Sequence, residues 1–255
     1  MPVWNERATI EEILKRVQSV PVDKEVIIVD NGSDDGTREF LEGLVESGAA
    51  QWGRWTDSQH WNNIDHRADD IAPIRVMFQR ENRGKGASVR AALRIARGDW
   101  VVVQDADLEY DPHDFVRLLE AARQVLARPR RVRRPVVVFG SRLLEESTRR
   151  AQGRTALLMG RVGLTFLFRL LYGRSLSDVS TCYKLMPRGL AQSLRLRCDG
   201  FDLDFEIAAR LARSNARLLE IPISYAPRSQ AQGKKLRAWR DGWKAALALL
   251  RARVL

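Results

Sequence analysis

The apolar run Trp100-Val101-Val102-Val103 stops at Gln104-Asp105-Ala106-Asp107-Leu108-Glu109-Tyr110, and Asp111-Pro112 follows as a helix start. A short, mostly β-branched run bounded by polar residues reads as a buried strand, so Asp105 and Asp107 sit where a strand ends and a loop opens. Two carboxylates so placed repel each other unless a cation lies between them. A hard divalent ion with oxygen ligands, Mg²⁺ or Mn²⁺, meets that need. Acidic pairs also cap helices and solvate loops, so the surrounding segments have to decide.

The same unit recurs. Residues 25–30 (Glu-Val-Ile-Ile-Val-Asp), 74–79 and 136–139 are further runs of the buried parallel type, with helical periods between them. Alternation of this kind predicts one α/β domain over residues 1–255, a mostly parallel Rossmann-like sheet flanked by helices. The strands end in Asp30, in Asp105 with Asp107, and in Ser141-Arg142. Carboxyl ends of an open parallel sheet face one way and the ligand crevice lies there, so acids for a metal and an Arg for phosphate are expected in one cleft.

The connections carry their own signals. Thr9 with Glu12 predicts a capping box for a helix lined by Ile10, Ile13, Leu14 and Val17. No strand is expected before that helix. Residues 48–72 have no clear period and read as a flap or insertion; their His60, Asp65, His66 and Asp69 fit no zinc spacing. Gly84-Lys85-Gly86 opens a helix, either so that backbone N–H groups reach an anion or a base, or as a plain tight turn. Asp111 is expected to cap a helix with Pro112 at its first position. Residues 149–172 are amphipathic and basic, which suits a packed helix or an interfacial one. Ser177 to Lys184 reads as strand-like, 202–214 as a helix carrying Asp204 and Glu206, 218–223 as a strand, and residues around 234–253 as a last helix.

Lys and Arg number 43 against 32 Asp and Glu, a net charge of +11 that suits a phosphate-bearing small molecule, an anionic membrane or nucleic acid. No recognised nucleic-acid module accompanies the charge, so nucleic acid is not expected as a partner. Cys182 and Cys198 are isolated and imply a reducing, cytoplasmic setting.

Pro2-Val3-Trp4-Asn5-Glu6, the segment 28–37, Asn82-Arg83-Gly84-Lys85-Gly86, Asp105-Ala106-Asp107-Leu108-Glu109, Gly140-Ser141-Arg142 and the segments 177–184, 200–206, 222–228 and 233–235 run in one order along the chain. In that order they resemble the family 2 glycosyltransferases of the GT-A fold, in the branch of the dolichol-phosphate mannosyltransferases and polyprenol-phosphate sugar transferases. The resemblance implies a metal-dependent, inverting transfer from a nucleotide sugar of the GDP-mannose or UDP-glucose type to a polyprenyl (dolichyl or undecaprenyl) phosphate, at the inner face of the cell membrane and with peripheral attachment. It implies that Pro2, Trp4, Glu6 and Asp30 cradle base and ribose, with Lys85, Gly86 and Ala106 also lining the donor site. By it Asp105, Asp107 and Glu109 hold Mg²⁺ or Mn²⁺, Arg228 and Lys234 clamp the diphosphate, and Arg142 and Arg154 receive the acceptor phosphate. Asp204 and Glu206 are base candidates for a hydroxyl acceptor, or simply start their helix favourably. A truncated, non-catalytic relative is the other alternative. Family members carry an apolar strand before Pro2, so the first strand is expected to be truncated, with the start assigned too far downstream.

Overall fold

A computed structural model describes residues 1–54, 74–129, 134–145, 156–228 and 238–254. Two sheets carry the architecture. The first is wholly parallel in the order β1-β2-β4-β3, formed by β1 (Pro2–Val3), β2 (Val26–Asp30), β3 (Gln51–Arg54) and β4 (Ile74–Phe78). The second has the order β5-β7-β6-β8, from β5 (Trp100–Val101), β6 (Val136–Ser141), β7 (Lys184–Pro187) and β8 (Arg217–Pro222). Here β7 runs antiparallel to both neighbours while β6 and β8 are parallel. The first sheet is therefore parallel, as expected, and the second is mixed.

The position before the first helix is filled. Pro2 and Val3 pair with Val29 and Asp30, and the Met1 ammonium donates to the Ile27 carbonyl at 2.6 Å. Pro2 and Val3 thus serve as the strand that the sequence reading left out.

Strand β2 is buried along its whole length because both faces are covered, as a parallel strand requires. Ile28 and Val76 meet Ile10, Ile13 and Val17 of α1 (Ile10–Ser19) and Leu41 of α2 (Thr37–Glu46). Ile27, Val29 and Met77 face Ala91 of α3 (Lys85–Ile95) on the other side. The second sheet repeats the arrangement. Val136, Val138 and Leu185 pack on Phe115, Leu118 and Ala122 of α4 (Asp114–Leu126). Val137, Phe139 and Met186 pack with Phe168 of α5 (Ala156–Tyr172), Ala191 of the short α6 (Arg188–Ser193), Ile207 of α7 (Leu203–Arg213) and Leu249 of α8 (Ala238–Val254).

Several local expectations change. Gln51–Arg54, inside the stretch read as aperiodic, is an edge strand parallel to β4. The strand-like reading of 177–184 moves on to Lys184–Pro187, since residues before it are drawn into side-chain-bonded turns. Thr9 makes no side-chain cap; its hydroxyl donates to the Glu6 carboxylate at 3.0 Å instead. Asp111 and Pro112 form a turn ahead of α4 rather than its first residues, with the Asp111 carboxylate accepting the His113 N–H at 3.0 Å.

Candidate functional site

The loop after β5 carries Asp105, Asp107 and Glu109 across Leu108, whose φ of +60° lies in the left-handed region. A branched side chain enters that region at a cost of about 1 kcal/mol or more; Leu108 packs against the first core, which holds it there. Ala106 is buried in the same core. The acidic loop is therefore fixed from below by apolar contacts while its carboxylates face the crevice cations.

Lys85, the first residue of α3, places its ammonium 2.9 Å from Asp105 and 3.1 Å from Asp204. Burial works against its charge, but the two carboxylates outweigh it and hold the pKa well above the ordinary lysine value. Across the crevice, the Arg228 guanidinium forks onto Glu6 at 3.0 and 3.2 Å and reaches Asp107 at 3.2 Å. Three segments remote in sequence, those at Glu6, Asp107 and Arg228, thus meet at one point, with the Lys85 pairings beside it.

Acid exceeds base at this point. Burial, with the adjacent Asp105 and Glu109 charges, pushes the Asp107 carboxyl up to about 7 against the opposing pull of Arg228. An undercompensated carboxylate beside a second one is the electrostatic condition for a divalent cation. Asp105 and Asp107 fit such an ion. Glu109 is placed otherwise: its carboxylate accepts the Tyr225 hydroxyl at 2.7 Å and the Arg228 backbone N–H at 2.8 Å. Among the described residues no group of three His, Cys, Asp or Glu is assembled to hold a metal.

Other expected site residues are distributed as follows. Pro2 lies in β1 and Trp4, 39% exposed, lies just beyond it. Asp30 is fully buried, closed by the Arg38 guanidinium at 2.8 Å and the Ser33 N–H at 3.2 Å, so its carboxylate shapes the 31–38 turn. Arg142 is also buried. Its guanidinium forks onto Asp178 at 2.6 and 2.7 Å and donates to Ser180 at 2.6 Å, with the Tyr225 ring 5.1 Å away. Any phosphate that reaches Arg142 competes with this pair. Arg154, Lys234, His60, Asp65, His66 and Asp69 lie outside the described residues.

The glycines of the 84–86 turn have a packing reason. A Cβ on Gly86 would lie 2.1 Å from the Cys198 carbonyl oxygen, and one on Gly84 2.2 Å from that of Asp199. The Gly86 N–H donates to Asp199 at 2.7 Å. The close approach is made by the chain's own 198–199 segment, so this N–H is not offered to an anion.

Asp204 is held between Lys85 and Lys184, the latter at 3.3 Å; burial opposes its charge, and the two lysines keep its pKa below the ordinary value. Glu206 accepts the Arg197 and Cys198 N–H groups at 2.8 Å each and the Arg210 guanidinium at 2.9 Å. Both acids are internal counterions and ties rather than groups poised to take a proton. Sequence reasoning missed Asp178, Lys184 and Tyr225 as members of this network, although all three lie in the quoted segments 177–184 and 222–228.

The sequence profile described as Glycosyl transferase family 2 matches residues 1–194. A dolichyl-phosphate beta-glucosyltransferase of Saccharomyces cerevisiae is 26% identical, over 98% of this chain and 72% of its own length. An undecaprenyl-phosphate mannosyltransferase of Micrococcus luteus is 24% identical, over 92% of this chain and 85% of its own. A dolichol-phosphate mannosyltransferase of Pyrococcus furiosus is 21% identical, and the chain spans 57% of that protein. In fold, the chain is similar to glucosyl-3-phosphoglycerate synthase from Mycobacterium tuberculosis, crystallised with Mn²⁺, UDP-glucose and phosphoglyceric acid, at a TM-score of 0.61 and 18% identity, covering 100% of this chain and 78% of that one.

Proposed function

The chain belongs to glycosyl transferase family 2, and from that membership we propose that it transfers a sugar from a nucleotide-sugar donor to a polyprenyl phosphate. The observation that carries this reading is the meeting of Glu6, Asp107 and Arg228 beside the Asp105–Lys85 pair. Cations and acids already paired with each other there can exchange partners with a diphosphate and its metal. The names of the yeast and Micrococcus relatives, both polyprenyl-phosphate sugar transferases, support the acceptor class.

Donor binding would use Trp4 and Glu6 beside β1, with Arg228 moving from Glu6 and Asp107 to the diphosphate oxygens. Asp105 and Asp107 would hold the divalent ion, which when bound supplies Lewis-acid neutralisation of the leaving diphosphate. Lys85, paired with Asp105 at 2.9 Å, holds that carboxylate in place. Charge placed in advance where the leaving group develops its own is the main lever on such a barrier. Neither Asp204 nor Glu206 is free to act as a base, which favours an acceptor that is already an anion over a hydroxyl. A polyprenyl phosphate needs positioning, not deprotonation, for an inverting attack.

Access to such a lipid is supported by exposed apolar residues on two packed helices. On α5, Val162, Phe166 and Leu170 are exposed, and on the α8 packed against it Trp243, Leu250 and Val254 are exposed. Arg169, Arg251 and Arg253 lie on the same helices. Exposed apolar residues on helices that also carry Arg suit the surface of an anionic bilayer. No helix among the described residues is long and apolar enough to cross a membrane.

The test is a donor screen with labelled UDP- and GDP-sugars, Mn²⁺ and polyprenyl phosphate in phosphatidylglycerol-containing vesicles. A lipid-linked sugar is expected from one donor and is lost on chelation. No lipid-linked product from any donor overturns the reading.

A further inference from the structure

We infer that Glu109 is a positioning residue that fastens the 225–228 segment over the crevice, instead of a third ligand of the divalent ion. The inference deepens the proposed function, on which it rests only for what Arg228 goes on to contact.

Both carboxylate oxygens of Glu109 are engaged by that segment, one by the Tyr225 hydroxyl at 2.7 Å and the other by the Arg228 N–H at 2.8 Å. The main chain adds to the grip. The Glu109 carbonyl accepts the Ala226 N–H at 2.9 Å, and Tyr110 and Tyr225 form an antiparallel bridge. The Tyr225 ring packs edge-on to Tyr110 at 5.3 Å, which fixes the direction from which its hydroxyl arrives. One residue therefore holds the segment through side chain and backbone together. The segment's last described residue, Arg228, then spans to Glu6 and Asp107.

A bond from a carboxylate to a backbone N–H is charge-assisted and directional. It sets the position of the Arg228 Cα, from which the guanidinium reaches. The acid two residues beyond the Asp105-Ala106-Asp107 pair thus couples the loop that would hold the ion to the loop that would hold the diphosphate. The Arg228 Nε is buried with no hydrogen-bond partner, so part of the guanidinium's donor capacity is unspent at the point Glu109 holds it.

Hydrogen exchange at the Arg228 amide in the ligand-free chain, and affinities for Mn²⁺ alone and for UDP and GDP with Mn²⁺, test the inference. Glu109→Ala is expected to speed exchange at Arg228 at least tenfold, to leave Mn²⁺ affinity within twofold, and to weaken the nucleotide about tenfold, as for one lost charge-assisted bond. Tyr225→Phe, which leaves every acid in place, is expected to move exchange and nucleotide affinity the same way by about threefold. A tenfold or greater loss of Mn²⁺ affinity in Glu109→Ala, or unchanged exchange at Arg228 in both variants, overturns the inference. If the wild-type chain binds neither nucleotide, the transferase reading fails, while the exchange rates still decide the anchor.

Discussion

The Arg228 guanidinium forks onto the Glu6 carboxylate at 3.0 and 3.2 Å across a sequence separation of 222 residues. This pair joins the loop after the first strand to the segment after the last, and its second arm lies 3.2 Å from Asp107. The pair ties the two segments together, and under the proposed function its guanidinium is the cation that a diphosphate would take over.

Arg228→Ala is accordingly expected to weaken nucleoside diphosphate binding on the order of 100-fold, the loss of a part-buried forked cation. Arg228→Lys keeps the charge but cannot fork onto two oxygens, and should recover only part of the affinity. Calorimetry with UDP and GDP in the presence of Mn²⁺ measures both. An Arg228→Ala variant with unchanged nucleotide affinity would remove this residue from the donor site.

Asp204→Asn separates a structural counterion from a catalytic base. The substitution leaves Lys85 and Lys184 facing each other in a buried place, both having lost the carboxylate now at 3.1 and 3.3 Å. Breaking one partner out of a buried charge cluster costs about 3–5 kcal/mol, read as a lower urea midpoint. A base would instead lose turnover with its stability intact.

The glycine turn gives a sharp contrast. At Gly86 a methyl group meets backbone oxygen at 2.1 Å, whereas at Gly163 in α5 nothing lies within 4 Å. Gly86→Ala must displace the 198–199 segment and should destabilise by about 2 kcal/mol or more. Gly163→Ala, in an open helix interior, should be neutral or stabilise by about 0.5–1 kcal/mol. Denaturant midpoints of the two variants check this directly.

The alternation of β-branched runs with helical periods was legible because burial on both faces leaves a continuous apolar run, as in Ile27, Ile28 and Val29. Strand direction was not, since an apolar run such as Leu185-Met186 is the same read either way, and β7 proved antiparallel. Gln51–Arg54 was missed because Gln, Gly and Arg carry no β signal; backbone pairing to β4 alone defines that strand. The acids at strand ends were legible as a set, and Asp105 and Asp107 do meet cations there. Which acid serves which partner was not. Asp30, Glu109, Asp204 and Glu206 each belong to bonds with residues distant in sequence or to local backbone N–H groups, and spacing encodes neither.

Glu206 provides the acid-side signature of the fold. Burial alone would raise its pKa, but the N–H groups of Cys198 and Arg197 and the Arg210 guanidinium outweigh that and hold it below the ordinary glutamate value. A group with a lower pKa folded than unfolded stabilises the chain fully above the unfolded value and loses that contribution as pH falls through the folded one. The wild-type chain should therefore lose stability more steeply than Glu206→Gln below about pH 4.5, the two urea-midpoint curves converging as acid is added. Above that pH the variant should be the less stable, because a neutral amide accepts the same N–H groups more weakly. Curves that stay parallel from pH 6 to pH 3 would show that Glu206 does not tie the 197–199 segment to α7 through its charge.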